Sequence, residues 1–517
     1  MMLQALQKIN RGQVSTAKSV PPPIGGLNSR DALDLMSPYE AWYFENFFPR
    51  TSDVRVRKGK LIQNPDDVLA SGGAVNMMAS FKVGAVEKLI AGAGSGVFDM
   101  TDPTTPVTLS TTSYTSSKWY THLFNGYLFG VNATDTPWRY SGAGNLLVTG
   151  FTGPTLTSLS FITSHGQRLY VVEKDSLSFW YGGVGSVTGA LTEFDLSDIA
   201  RHGGTLVSIG ALPSDGGTSS DNVVCFFTSE GEVILYVGSN PGDASNWSFK
   251  GSFLIGEPIG SQNFTQYGSD LLIITEDGIV PLTQILSLGR ARVEEVALSD
   301  KISGDINNAI DSYSSNWGWK ILPFPTGSFI MLNIPTSESQ AYQFVMNTHT
   351  KSWTKFTGWD IRSMCVHNKK LYYGDALGFV YEAWTGLSDD GEAIIARGNT
   401  AWNYFEDRDR NKQFNHVRPL FSSNANLTLS LALSTDFKIV DNTASVSAGI
   451  GDGAIWDQAI WDQALWFGGN QISQAWQGVG NFGFCASLQV NVSVDDQEVF
   501  WNSTNYHITP TVGVGIG

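Results

Sequence analysis

Residues 168–183 read RLYVVEKDSLSFWYGG: an apolar run from Leu169 to Val172, a polar turn, a second apolar and aromatic run from Leu177 to Tyr181, and a Gly-Gly stop. Each run has the length of a strand, and the turn between them is short enough for a hairpin. The same design returns in KLIAGAGSGVFDM (88–100), YLFGVNATDTPWRYSG (127–142), NVVCFFTSEGEVILYVG (222–238), DLLIITEDGIVPLTQ (270–284), SFIMLNIPTSESQAYQFV (328–345) and KLYYGDALGFVYEAW (370–384). Counted from the first strand residue of each hairpin, at Leu89, Tyr127, Leu169, Val223, Leu271, Phe329 and Leu371, the gaps are 38, 42, 54, 48, 58 and 42 residues. A four-stranded propeller blade takes about 40–50 residues. Seven such anchors therefore predict an all-β chain with a six- or seven-bladed β-propeller.

The physical reason is that one four-stranded sheet cannot bury both of its faces alone. A ring of such sheets covers every face with a neighbour and leaves only short, protected edges. A β-sandwich or solenoid would use similar hairpins and stays open as an alternative.

The period has limits on both sides. Residues 1–24 end in Pro21, Pro22 and Pro23, which favour extended polyproline structure, and read as an arm that orders only against a partner. Leu3, Leu6 and Ile9 could share one face of a short helix, and from Asp31 to Phe47 the spacing Leu33, Met36, Tyr39 or Glu40, and Tyr43 allows one or two helical turns interrupted by Pro38. Val54 and Val56 alternate with Arg55 and Arg57 as a half-exposed strand does. After Trp384 the stretch LSDDGEA (387–393) is a turn-rich bridge to a different β-pattern. There NKQFNHVRPLFSS (411–423) and NLTLSLALSTDF (426–437) alternate, the second placing Leu427, Leu429, Leu431 and Leu433 on one face. SLQVNVSVDDQEVFWNSTNYHIT (487–509) reads as a closing hairpin. The expected organisation is an arm (1–24), a first platform part (25–70), the propeller (71–394) and a second platform part (395–517).

Composition narrows the function classes. Charged residues are 15% of the chain, against roughly 25% in an average soluble domain. Aromatics reach 12%, with 16 Trp, which suits surfaces that neighbours cover. The net charge of −16 is uneven: +4 over residues 1–60, −15 over 61–395 and −5 over 396–517. An acidic body argues against tight nucleic-acid binding, which needs clustered Lys and Arg. Cys225, Cys365 and Cys485 are far apart and odd in number, so they predict reduced core thiols in a cytoplasmic setting. No run of 18 apolar residues predicts a membrane span, and the first twenty residues lack a secretory apolar core, so assembly without export is expected.

A catalyst leaves no motif. The seven histidines (122, 165, 202, 349, 367, 416 and 507) show no metal-ligand spacing, and HExxH, P-loop, GxSxG and Rossmann patterns are missing. In SHGQR (164–168), His165 reads as a turn residue bonding to backbone. Asp407-Arg408-Asp409-Arg410-Asn411 opens like a calcium loop, but Lys412 stands where Gly is required and Arg418 where Glu is required. Arg408 and Arg410 are instead candidates for contacts across a subunit boundary. In IWDQAIWDQALW (455–466), Trp456, Trp461 and Trp466 fit interface anchors, with a sugar-stacking strip as the alternative. The residues predict no catalytic group, metal or cofactor, and the expectation is that the chain is not an enzyme.

Both flanks carry a resemblance. Gly25, Gly26, Asn28, Asn46, Phe48, Pro49, Arg57 and Gly59 at one end, and Val417, Arg418, Pro419, Trp501, Ser503, Thr504 and Tyr506 at the other, resemble the signatures of bacteriophage tail hub (nozzle) proteins of short-tailed phages, the packaged-DNA stabilisation family. The resemblance implies a propeller inserted into a composite platform formed by both chain ends. It further implies a structural virion protein, assembled in the host cytoplasm as a homo-oligomeric ring of six. Such a ring would contact a head-tail adaptor and tail fibre or spike proteins, extend the channel for passing double-stranded DNA, retain the genome and open for ejection, without stable membrane insertion. In that setting Glu230 and Glu232, and Glu276 and Asp277, are candidate lumen carboxylates, because a DNA tube must not grip phosphates, with solvated outer turns as the equal alternative for them. The alternative is a propeller-type receptor- or glycan-binding tail protein or a carbohydrate-active enzyme, although the repeated sialidase box is missing.

Overall fold

The computed structural model describes residues 15–66, 68–212, 223–260, 262–425, 427–440, 444–448, 471–473 and 475–510. They fall into two compact units, one spanning Lys58–Asp390 and one made from the residues up to Arg57 together with those from Gly391 onward.

The first unit is a β-propeller of seven blades among the described residues. Blade I is formed by Val75–Val83, Val86–Ala93, Gly96–Asp99 and Val107–Thr108, and blade II by Tyr120–Phe124, Tyr127–Val131, Trp138–Tyr140 and Leu147–Val148. Blade III uses Leu159–His165, Arg168–Glu173, Ser178–Tyr181 and Thr192–Asp195, and blade IV uses Leu206–Leu212, Val223–Thr228, Glu232–Gly238 and Trp247–Leu254. Blade V has Phe264–Tyr267, Asp270–Thr275 and Gly278–Pro281. Blade VI has Lys320–Phe324, Phe329–Pro335, Ala341–Asn347 and Trp353–Phe356. Every anchor residue lies on the second strand of its blade. The first strands of consecutive blades pack on one another around the axis, except that Leu206–Leu212 of blade IV meets the second strand of blade V, and the first strand of blade VII returns to blade I.

Blade VII closes the ring. Its strands Ser363–His367, Lys370–Gly374 and Val380–Thr385 take their outer partner, Gly59–Ile62, from the start of the unit, with Tyr381 opposite Ile62. That strand was expected in the platform. It belongs to the propeller because antiparallel pairing to Val380–Thr385 satisfies an edge that would otherwise stay open. The long gap between Leu271 and Phe329 also has a cause: helices Leu282–Leu288 and Ser303–Tyr313 stand after the third strand of blade V.

Facing sides of consecutive blades make the cores. Between blades III and IV, Phe161, Tyr170, Val172 and Phe179 pack on Ile209, Phe226, Tyr236 and Trp247, with the Phe179 and Phe226 rings 4.8 Å apart. Between blades I and II, Phe81, Ile90 and Val97 meet Trp119, Leu128 and Trp138. Gly130 is required there, since a Cβ at that position would stand 2.3 Å from the Trp138 ring.

The second unit interleaves both flanks in two sheets. In one, Val499–Pro510 lies between Lys412–Ser423 on one side and the N-terminal strands Thr16–Val20 and Val54–Val56 on the other. In the other, Glu40–Glu45, Ile394–Thr400, Ala486–Val494 and Leu427–Thr435 run in that order. Phe44 stacks on Phe47 at 5.4 Å, and Trp501 packs on Phe47 and Phe421. Leu427, Leu429, Leu431 and Leu433 are all buried.

Three expectations are corrected here. Glu40–Glu45 is a strand with turns before it rather than helix, because Pro38 breaks the turn and residues 41–45 pair with Ile394–Thr400, with a register shift between Ala41 and Tyr43. Residues 487–509 do not form a hairpin: their two strands enter different sheets, and Asp496 takes a positive φ of 50° between them. The arm is partly built in, since Thr16–Val20 pairs with Ile508–Thr504. The helix expected near residues 2–9 lies outside the described residues.

Candidate functional site

The axis of the propeller is where blades converge, and its polar groups gather at the N-terminal ends of the inner strands. Tyr120 of blade II, Phe161 of blade III and Phe264 of blade V, each on the first strand of its blade, pack together with ring distances of 4.0 and 6.2 Å. Asn76 donates from Nδ2 to Ser117 Oγ (2.9 Å) and accepts at Oδ1 from Arg362 Nε and Nη2 (3.3 and 3.2 Å). Arg362 Nη1 donates to Ser337 O at 3.1 Å. Lys320 Nζ donates to Met364 O at 2.8 Å and lines a cavity of about 140 Å³ with Met77, Thr121, Gln262 and Phe264. Protein surrounds the Lys320 ammonium although it keeps some solvent contact through the opening, and this burial pushes its pKa down. Nearby Cys365 is pushed up to about 12 by burial, so its thiol stays neutral.

Three histidines link neighbouring blades. His122 Nε2 shares a hydrogen bond with Ser164 Oγ at 2.9 Å (blades II and III), and His367 Nδ1 with Ser80 Oγ at 2.9 Å (blades VII and I). His165 Nε2 donates to Gly238 O at 2.7 Å (blades III and IV), which is the backbone bond read from SHGQR. Burial lowers all three pKa values, that of His122 to about 4. A Ser–His pair suggests an activated nucleophile, but none of the described carboxylates bonds to the far ring nitrogen of His122 or His367, so neither pair has the third group that orients a base. Their geometry is that of a clasp between blades.

The sequence-derived candidates fare differently. Glu232 is fully buried at the start of its strand and accepts from the backbone N–H groups of Arg201 and His202 (2.8 and 3.0 Å) and from the Ser252 hydroxyl. It cannot face a lumen, because its carboxylate is the acceptor those donors need. Glu230 stays exposed in the adjoining turn. Glu276 and Asp277 both pair with Arg290, which cancels part of their field. Arg408 lies 4.4 Å over the Tyr404 ring and donates to Asp34 O (3.1 Å), while Arg410 stands 3.7 Å from Asp407. The calcium-like loop is filled by its own cation: Lys412 Nζ, buried, donates to the carbonyls of Asp407, Arg410 (2.9 Å) and Phe484 (2.9 Å). Trp456, Trp461 and Trp466 lie outside the described residues. No group of His, Cys, Asp and Glu suited to a metal occurs among the described residues. No described helix is long and apolar enough to cross a membrane.

Most of the residues on which the expected resemblance rests are buried in the flanking unit, whereas Gly59 belongs to the propeller and Gly25, Arg418 and Ser503 are half-buried. Asn28 is fully buried, donates to Asp31 Oδ2 (2.8 Å) and Glu40 Oε2 (2.7 Å), and accepts from two backbone N–H groups. Asn46 takes φ 56°, donates to Ile395 O (2.8 Å) and accepts from Arg57 Nε (2.8 Å), so it ties the two flanks together. Trp501 is fully buried and donates to Thr504 Oγ1 at 3.1 Å. Sequence reasoning found these positions but missed Lys320 and the histidine clasps, although a lone lysine inside the apolar run Trp319–Phe324 is a readable signal.

No family model and no curated protein matches this chain. Among solved structures, it is similar to BamB from Moraxella catarrhalis, at 12% identity and TM-score 0.35 over 63% of this chain and 97% of the other. It is also similar to a streptogramin B lyase, at 10% identity and TM-score 0.42 over 63% and 97% of the two chains. A computationally designed protein, Ika8, matches at 10% identity and TM-score 0.36 over 66% and 96%. Likeness at this level bears on no function, and the seven blades rest on the chain's own strand pairing.

Proposed function

We propose that the chain is a structural tail protein of a short-tailed bacteriophage, a nozzle or hub subunit that forms a ring, extends the DNA channel and releases the genome at ejection. The observation that carries this reading is the convergence of both terminal signatures in one two-sheet unit, where Asn28, Asn46, Arg57, Trp501 and Thr504 are buried joints. An assembly role also suits the apolar surface left open there, with Ile472 and Phe482 each about half exposed and Phe484 close behind. Ring closure would use heterologous contacts, one surface of a copy against a different surface of the next.

Electron microscopy of isolated tails, with this chain located by antibody labelling, tests the reading. A ring of copies around the channel below the head is expected. A chain that stays monomeric in light scattering when mixed with its adaptor and portal proteins, and that is missing from purified tails, refutes it.

A further inference from the structure

One half-buried cation in the propeller, Lys320, has no anionic partner among the described residues. Lys320 Nζ uses a single hydrogen bond, to Met364 O, whereas an ammonium carries more donors than that bond employs. The neighbouring Arg362 is already committed to Asn76 and Ser337. The Cys365 thiol is neutral and supplies no counter-charge. A lone charge in such surroundings is costly unless something pairs with it.

The space beside this ammonium has a definite character. Met77, Phe264 and Leu322 give it apolar walls, while Thr121, Thr265 and Gln262 add polar side chains that bond to no other described residue. Its volume of about 140 Å³ is close to that of an apolar cavity of about 150 Å³ known to admit benzene. One cation and apolar walls suit a monoanion with a compact apolar body. A polyanion would find a single ammonium in a chain of net charge −16.

We propose that the cavity at the propeller axis binds a small organic monocarboxylate, its carboxylate on Lys320 Nζ and its apolar body against Met77, Phe264 and Leu322. The site is separate from the assembly role, since it needs one copy of the chain and none of the flanking unit's surface. It gives the propeller a ligand that would stiffen the contact between blades I, II, V, VI and VII.

Benzoate is the probe. Calorimetric titration of the full chain should show saturable one-to-one binding, weakened roughly tenfold to hundredfold in Lys320→Met, as expected for a lost hydrogen bond to a charged group. Benzyl alcohol, which keeps the ring and lacks the charge, should bind wild type and Lys320→Met alike. Saturation-transfer NMR on wild type needs no variant: the benzoate signal should appear and survive an excess of inorganic phosphate. Absence of saturable benzoate binding, equal affinity in Lys320→Met, or displacement by phosphate at equal concentration would each overturn the proposal, the last by marking a site for inorganic anions.

Discussion

Acid should loosen the propeller in a defined pH window through its blade-linking histidines. His122 carries the largest effect: burial brings its pKa to about 4, against about 6.5 in an unfolded chain. Its folded pKa is the lower one, so the unfolded chain binds the proton first. The contribution is therefore fully present above about pH 6.5 and is lost as the pH falls toward 4, with nothing further lost below that. Linkage gives a loss of about 2 kcal/mol by pH 5, and the partial solvent contact of His122 reduces this to about 1–1.5 kcal/mol. His165 and His367 are lowered by burial too and add in the same direction. The perturbation is His122→Gln, which keeps a polar partner for Ser164 and removes the titration.

Urea unfolding followed by tryptophan fluorescence at pH 7.5, 6.5, 5.5 and 5.0 is the assay. Wild type should lose stability steadily below pH 6.5, and His122→Gln should lose about 1 kcal/mol less over the same interval. Carboxylates held low by hydrogen bonds, such as Asp99 and Asp135, act only in more acid solution, and Asp375, pushed up by burial, is common to both proteins, so the difference between them isolates His122. Parallel pH curves for the two proteins between pH 6.5 and 5.0 would refute the clasp as a titrating element.

Three other outcomes follow from the packing. Gly59→Ala places a Cβ 1.7 Å from the Ser388 carbonyl oxygen, so the ring-closing strand must shift, at a cost of about 1–3 kcal/mol in urea unfolding of the propeller. Asn46→Ala loses the bond that receives Arg57 and holds a positive φ without glycine or asparagine, and it should cost about 2–4 kcal/mol, whereas Asn46→Gly should cost less. Trp501→Ala should destabilise the flanking unit by about 3–5 kcal/mol, read as early loss of protection in hydrogen exchange for residues 412–423 and 499–510.

The parts of the fold legible in the sequence are those whose burial is local. The second strands of the blades, such as Leu169–Val172 and Leu271–Ile274, are covered on both faces, so they appear as unbroken apolar runs. The outer strands Val107–Thr108 and Leu147–Val148 are two residues long and exposed, so no apolar pattern marks them. The place of Gly59–Ile62 in the propeller is not legible, because its partner lies more than three hundred residues later and no local pattern records such a pairing. Helix Ser303–Tyr313 leaves a signal in the sequence, since Ile306, Ala309 and Ile310 mark one helical face, and it lies between two hairpins where no element was expected. At the candidate sites, chemistry hidden by burial was the obstacle. Glu232 looked like half of an acidic turn, yet its side chain turns inward to hold three donors.

The same inward use of polar groups recurs through both units of the chain. Lys412 closes on three carbonyls where a calcium ion would otherwise find oxygen ligands, and Arg57 closes on Asn46. His122, His165 and His367 are kept neutral and spent on neighbouring blades. A catalytic group must be free to meet a substrate and have a pKa matched to a proton transfer. Groups locked into joints meet neither condition, but they hold two long-range pairings together: the flanks of the chain in one unit, and the first and last strands of the propeller in the other. Lys320 is the exception, a cation at an open cavity with donors to spare. For that reason the axis of the propeller, and not its acidic turns, is where a small ligand should be sought.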